Sequence, residues 1–450
     1  KRADVRKCTI DTARNTMMNN LPTFRLSICL LLSIAATTTA RGQGIFVSAT
    51  GPVNRSMGGA ATAAPLESLG SLFWNPASIS SLPEDEVSIG LAASLPVLHT
   101  DSFIPGIGGG SSRAEPGVTP LPNVGLIHRP KNSTTTFGLG IFSAAGFRTN
   151  FAASLTNPVF TPQSNTAGVP GGLGQVYTEA AFLQVIPTVS WQVTDSVSIG
   201  IGPTVTLGDV TIDPMVFNAP NDADGSGAPR YPSGHGTRTH WGGGVQAGAY
   251  YEGLDYWHWG LTIKSPQWME SFRYNTEDEL GRPVLQTIDM DLPMVISLGT
   301  AWSGWEGLVL AADVRYYDYA NTDGFELKGF RPDGSVAGLG WNSIVSVATG
   351  LQYEVNPDLL LRTGYTFNEN PIPDSQAFVN IGAPLYYQHE LHVGASYRLT
   401  KRLWLNFAYT YYFENEISGP LVTPAGAIPG SSVTSRETVH IADIGFTVRY

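Results

Sequence analysis

Four cations stand on strand faces that alternate with apolar ones: Lys264, Arg315, Arg362 and Arg398. A guanidinium binds a carboxylate through two parallel hydrogen bonds, so Lys264, Arg362 and Arg398 are candidate contacts for an acidic substrate head. Acids on the same faces, among them Asp313, Glu390 and Asp443, offer plain ion pairing as the alternative. Residues 221–227 read Asn-Asp-Ala-Asp-Gly-Ser-Gly, which resembles part of a calcium loop with oxygen ligands from Asp222 and Asp224 and a glycine for the sharp turn. The closing glutamate is missing, and a solvated turn is the competing reading. Catalytic signatures are absent: there is no Gly-x-Ser-x-Gly elbow and no His-Glu-x-x-His pair, and the eight histidines show no nucleophile-and-base spacing. No catalytic residue and no cofactor is expected.

Composition narrows the setting. Of the 450 residues only 14% are charged against 42% hydrophobic, with 50 Gly and 31 Pro. An ordinary soluble domain carries about 25% charge. The 19 Phe, 18 Tyr and 10 Trp exclude disorder, and nothing beyond residue 40 approaches the roughly 18 apolar residues of a membrane helix. Residues 1–42 read as upstream residues plus a signal peptide that is removed: Met17 or Met18, Arg25, the apolar run 26–36 and a small-x-small site at Ala40-Arg41-Gly42. Both cysteines, Cys8 and Cys29, lie there, so the mature chain has none. Of 26 basic and 37 acidic residues, seven and two fall in that leader, leaving 19 and 35 and a net charge of −16. Nucleic acid is not an expected partner.

What positions the cations is a two-residue alternation. In 437–450 the even positions from Ala442 are Ala, Ile, Phe, Val and Tyr, and the odd ones from Asp443 are Asp, Gly, Thr and Arg. Successive strand side chains point to opposite faces. The same split recurs in 359–368, 390–399 and 402–413. It predicts fourteen strands near 86–98, 122–131, 135–147, 176–192, 195–208, 238–253, 257–268, 284–302, 306–319, 340–354, 358–368, 387–399, 402–414 and 437–449. Many match the roughly 9–11 residues that cross a bilayer at a tilt. Tight turns alternate with long linkers at 99–121, 148–175, 209–237, 269–283, 320–339, 369–386 and 415–436, the pattern of an outer-membrane barrel. The fold expected is all-β: a fourteen-stranded antiparallel transmembrane β-barrel over 85–450. Its aromatic end at Tyr450 suits the barrel assembly machinery, and Tyr256, Trp257, Trp302, Trp305, Tyr411 and Tyr412 suit interface girdles in contact with outer-membrane lipids.

Residues 43–84 do not alternate. Small residues from Ser56 through Pro65, including Gly58 and Gly59, allow close packing in a confined space, and Asn75 before Pro76 and Ala77 predicts an N-cap with proline at the first helical position, opening a short helix through Ser78 to Leu82. A plug, or hatch, inside the lumen is expected. The order of leader, Arg55-x-x-Gly58-x-Ala60, Asn75-Pro76-Ala77 and fourteen strands resembles the FadL/TodX family of outer-membrane transporters for long-chain fatty acids and other hydrophobic compounds. Leu261–Pro266, Asp291-Leu292-Pro293, Leu361–Tyr365 and Asn370–Asp374 add to the likeness.

That resemblance implies passive uptake without a pore open straight through. Substrate would enter a groove among the outer loops, move to a pocket beside the plug, and leave sideways where the third strand is kinked. Ala144, Ala145 and Gly146 are the candidates for that opening, since small residues are where a strand bulges. For the groove, 209–237 and 269–283 supply Met215, Phe217, Trp268, Met269 and Phe272. The expected partners are fatty acids or hydrocarbons, taken up by a monomer in the outer membrane. An outer-membrane lipase or deacylase and a polar-solute porin are the alternatives.

Overall fold

A computed structural model describes residues 44–234 and 238–450; the leader lies outside the described residues. The wall strands are β1 (Glu86–Ile104), β2 (Thr119–His128), β3 (Thr135–Phe151), β4 (Val176–Gln192), β5 (Val197–Asp213), β6 (His240–Glu252), β7 (Trp257–Lys264), β8 (Val295–Trp305), β9 (Leu308–Tyr317), β10 (Ile344–Asn356), β11 (Leu359–Asn368), β12 (His389–Arg398), β13 (Leu403–Gly419) and β14 (Ser432–Arg449). Each pairs antiparallel with the next, and β1 pairs with β14 from Glu86 against Arg449 to Phe103 against Ser432. The sheet therefore closes into a fourteen-stranded barrel. Closure leaves no bare edge and pairs the backbone within the wall.

The alternation now acquires a direction. Leu361, Leu261 and Phe446 expose 45%, 45% and 46% of their surface, while their neighbours Arg362, Thr262 and Thr447 are buried. The apolar face is thus outside and the polar face inside, the reverse of a water-soluble barrel and the arrangement lipid demands. Trp257, Trp259 and Trp305 are exposed toward the short-turn rim, where amphipathic rings suit the headgroup region.

Two sequence expectations are corrected. The eighth strand begins at Val295, not at 284, because Pro283–Ile288 pairs with Phe272–Glu277 in a separate hairpin within the long connection. Pro293, which has no N–H for a ladder, falls between that hairpin and the wall. The seventh ends at Lys264, before Pro266, and Trp268–Met269 pairs separately with β6. On the long-loop side β1, β3, β5, β13 and β14 run several residues past their predicted ends.

Residues 44–82 are buried almost throughout and lie against the inward faces of the wall. Helix α1 spans Gly51–Ser56 and α2 spans Ser68–Trp74. The N-cap of α2 is Glu67, whose carboxylate accepts from Leu69 N and Gly70 N, each at 2.8 Å. Asn75 accepts from Ala77 N at 3.0 Å and starts the turn into a short 3₁₀ helix at Ser78–Ser81, where the sequence places a short helix after Pro76. It also stands at the C-terminal end of α2, a helix the sequence reading did not include. The apolar face of α2, from Leu69, Leu72, Phe73 and Trp74, packs with Ile127, Phe142 and Ile186 of the wall. Burial of each such side chain contributes roughly 1.5–3 kcal/mol.

Candidate functional site

Polar contacts complete the docking of the plug. Asp313 of β9 accepts from Ala61 N and Thr62 N at 3.0 Å and pairs with Arg315 at 2.7 Å. Arg315 also stacks on Trp74, 3.4 Å from the ring centre, and donates to Gly59 O. Arg55 pairs with Asp443 of β14 at 3.1 Å and donates to Ala49 O at 3.0 Å. Glu390 of β12 accepts from Ser48 at 2.7 Å. Gly58 and Gly59 have φ of +65° and +82°. A side chain at Gly58 would meet Thr349 O of the wall at 2.7 Å, so glycine serves both the turn and the close approach. Asn75 reaches across to Ala249 O of β6 at 3.0 Å. Burial and the neighbouring Glu86 push the Glu67 carboxyl up to about 8.

The wall is interrupted between β2 and β3. β2 pairs with β3 only from His128 against Phe137 to Asn123 against Phe142. Beyond that point β3 continues to Phe151, paired with β4, and its register shifts between Ser143 and Ala145. Ala144 is the extra residue of this bulge, and Gly146 follows with φ +150°. The edge that β2 leaves is met by the start of the plug: Val47 N donates to Ala144 O and Gly146 N to Ile45 O, both at 3.1 Å. Ala144, Ala145 and Gly146 thus sit together at the break.

Beside it lies a pocket of about 70 Å³, lined by Phe46, Arg55, Leu121, Phe147, Tyr412 and Glu437 among others. Toward the long loops a larger cavity of about 410 Å³ is bounded by Val159, Leu173, Ile212, Phe217, Phe378 and Ile428 among others. No lysine or arginine among the described residues lines it.

The sequence-derived contacts scatter around these spaces. Phe217 lines the large cavity. Met215 is fully buried in the apolar cluster of the outer half. Trp268 is exposed, and Met269, beside it in the short strand on β6, is half-buried. Phe272 is buried edge-on against Phe182. None of these four lines the outer cavity. The cations do not reach the outer cavity either. Lys264 sits over Phe73 of the plug at 3.5 Å. Arg362 is held by Gln352 at 2.7 Å and Ser396 at 2.6 Å. Arg398 pairs with Asp358 on the short-turn rim at 2.7 Å. Asp222 and Asp224 do come together, with Glu279. The positive charge among them is Arg230, 2.8 Å from Asp224 and 2.6 Å from Glu279, so the cluster carries a counter-charge of its own.

Sequence reasoning missed Glu437 and the loop residues around 158–173, 330–339 and 378–383. The apolar run Phe378-Val379 and Ile381 inside an otherwise polar linker was the available signal.

A closed barrel with a lipid-facing apolar band, filled by its own N-terminal segment and walled around apolar cavities, is an outer-membrane transport protein. The chain belongs to the family described as outer membrane protein transport protein (OMPP1/FadL/TodX), whose model matches residues 31–450. Among solved structures it is similar to the toluene transporter TodX of Pseudomonas putida, at 16% identity and a TM-score of 0.64 over 90% of this chain and 99% of that one. It is likewise similar to a FadL homologue of Pseudomonas aeruginosa, at 16% identity and TM-score 0.69 over 90% and 100%. The toluene transporter TbuX of Ralstonia pickettii matches at 17% identity and TM-score 0.61 over 90% and 99%. At these identities the likeness is one of fold. No curated protein matches the sequence. Membership places the chain among transport channels and not enzymes.

Proposed function

We propose that the protein carries hydrophobic molecules down their concentration gradient across the outer membrane, by way of the large loop cavity, the small pocket beside the plug and the break between β2 and β3. The observation that carries this reading is the end of the β2–β3 ladder at Asn123 and Phe142, next to a pocket that opens among apolar side chains. A path straight down the lumen would cross the plug, whose residues are buried against the wall. The outer cavity, apolar and without lysine or arginine, suits molecules that partition out of water. The structural relatives named as toluene transporters support the same class of cargo.

The test is uptake of labelled toluene and labelled palmitate by cells with and without the protein, beside ion conductance in planar bilayers. Accelerated uptake of either with almost no conductance is the expected result. Steady conductance without accelerated uptake would indicate a polar-solute porin.

A further inference from the structure

The pocket at the wall break carries polar atoms that passage of a hydrocarbon does not require. Most of its lining is apolar, yet three charged side chains reach it: Arg55, Arg148 and Glu437. Arg55 is 1% exposed; its Nε and Nη2 are engaged by Asp443 and Ala49, while Nη1 meets no protein acceptor. Glu437 is 4% exposed and stands on the inward face of β14, two residues from Val439, which lines the same space. Its Oε2 meets no protein donor. Arg148 pairs with Glu179 through Nη2, and its Nε is likewise without a protein partner. The tyrosine hydroxyls beside them are taken, Tyr387 by Gly44 O and Tyr412 by Ser48. Buried polar atoms are normally hydrogen-bonded, and each exception calls for an explanation.

We infer that this pocket binds the hydroxyl group of an uncharged, otherwise apolar molecule, an alcohol in place of a hydrocarbon or a carboxylate. A hydroxyl offers one donor and two acceptor sites, which matches an acceptor at Glu437 Oε2 and donors at Arg55 Nη1 and Arg148 Nε. A hydrocarbon leaves all of them unpaired. Each arginine already has its own acid, Asp443 or Glu179, so the pocket has no spare positive charge to hold a carboxylate away from water. This inference rests on the transport reading, since it assigns the cargo of the same pocket.

Three water-soluble probes that share one ring decide it: benzyl alcohol, toluene and benzoate, each labelled and measured by equilibrium dialysis against the full chain in detergent. Benzyl alcohol should bind at least about tenfold more tightly than either of the others, as sites built for a hydroxyl reject analogues that lack one. Glu437→Leu should abolish the preference over toluene, and Glu437→Gln, which keeps an acceptor oxygen at the same place, should retain it. Heat-modifiable migration on gels verifies that both variants fold. Equal affinities for the three probes, or benzoate as the tightest, would overturn the inference, as would a preference indifferent to Glu437→Leu. Toluene uptake by cells bearing the unmodified protein is scored separately: its absence counts against the transport reading, whereas a lost alcohol preference with uptake intact counts only against the hydroxyl site.

Discussion

Arg55 of the plug and Asp443 of the last strand face each other at 3.1 Å, both buried, although 388 positions separate them in the chain. Helix α1 is thereby fastened to the strand that closes the barrel. Removing one partner leaves a buried charge without compensation, at a cost of about 3–5 kcal/mol. Arg55→Met should loosen the plug and raise ion conductance in planar bilayers, while the barrel stays resistant to heat on gels. Arg55→Met combined with Asp443→Leu should recover most of the low conductance. Unchanged conductance in the single variant would show that this pair does not hold the plug.

Glu67 gives docking a pH dependence. Its carboxyl titrates at about 8 in the folded protein against an ordinary value of 4.5, through burial first and the charge of Glu86 second. The docked plug therefore holds the proton more tightly than the released one. Stability that is complete below pH 4.5 declines as pH rises toward 8. Arg449, paired with Glu86 at 2.9 Å, and Arg362 are the nearby cations. Hydrogen exchange at the Leu69 and Gly70 amides should accelerate between about pH 5 and about pH 8 beyond the intrinsic rate, and Glu67→Gln should flatten that excess. A flat excess in the unmodified protein sinks the idea.

The bulge at Ala144 permits a direct test of the lateral route. Gly146 is the less useful position, because a side chain there would meet Ala180 O of β4 at 2.4 Å and disturb a pairing that is intact. Deleting Ala144 removes the one residue that shifts the register against β4. Uptake of labelled toluene should fall severalfold with folding preserved. Uptake at the original rate, in a variant shown to have a continuous β2–β3 ladder, would exclude exit at this point.

Orientation is tested with single cysteines. The long connections should face the exterior, so cysteine at Leu280 or Ser432 should react with an impermeant thiol reagent on intact cells. Cysteine at Lys131, on a short turn, should react only after lysis. The opposite pattern inverts the topology.

The wall was legible in the sequence because each strand has one face in lipid and one in the lumen, so register is written as parity in runs such as Glu437–Tyr450. The start of β8 was not, since 283–288 alternates equally well in its outer hairpin. Asn75 was legible as the start of the short helix after Pro76, whereas α2 before it was not, because its cap is Glu67 and the small residues of the segment show no helical period. The outer cavity draws residues from connections hundreds of positions apart, and the run Phe378-Val379 with Ile381 is the local pattern that marks it. Glu437 shares its parity with Asp443, yet only three-dimensional placement distinguishes the acid with an arginine from the acid without one.

Residues 45–47 stand where β2 would otherwise continue, supplying to Ala144 O and Gly146 N the partners of a ladder. The seam in the wall is thus sutured by the plug itself. On the proposed lateral route, passage would break both of these hydrogen bonds, and the backbone groups so freed would find no replacement in hydrocarbon, which makes the open state the one of higher free energy. Closure would then need no separate trigger: the same unsatisfied groups would draw the suture shut.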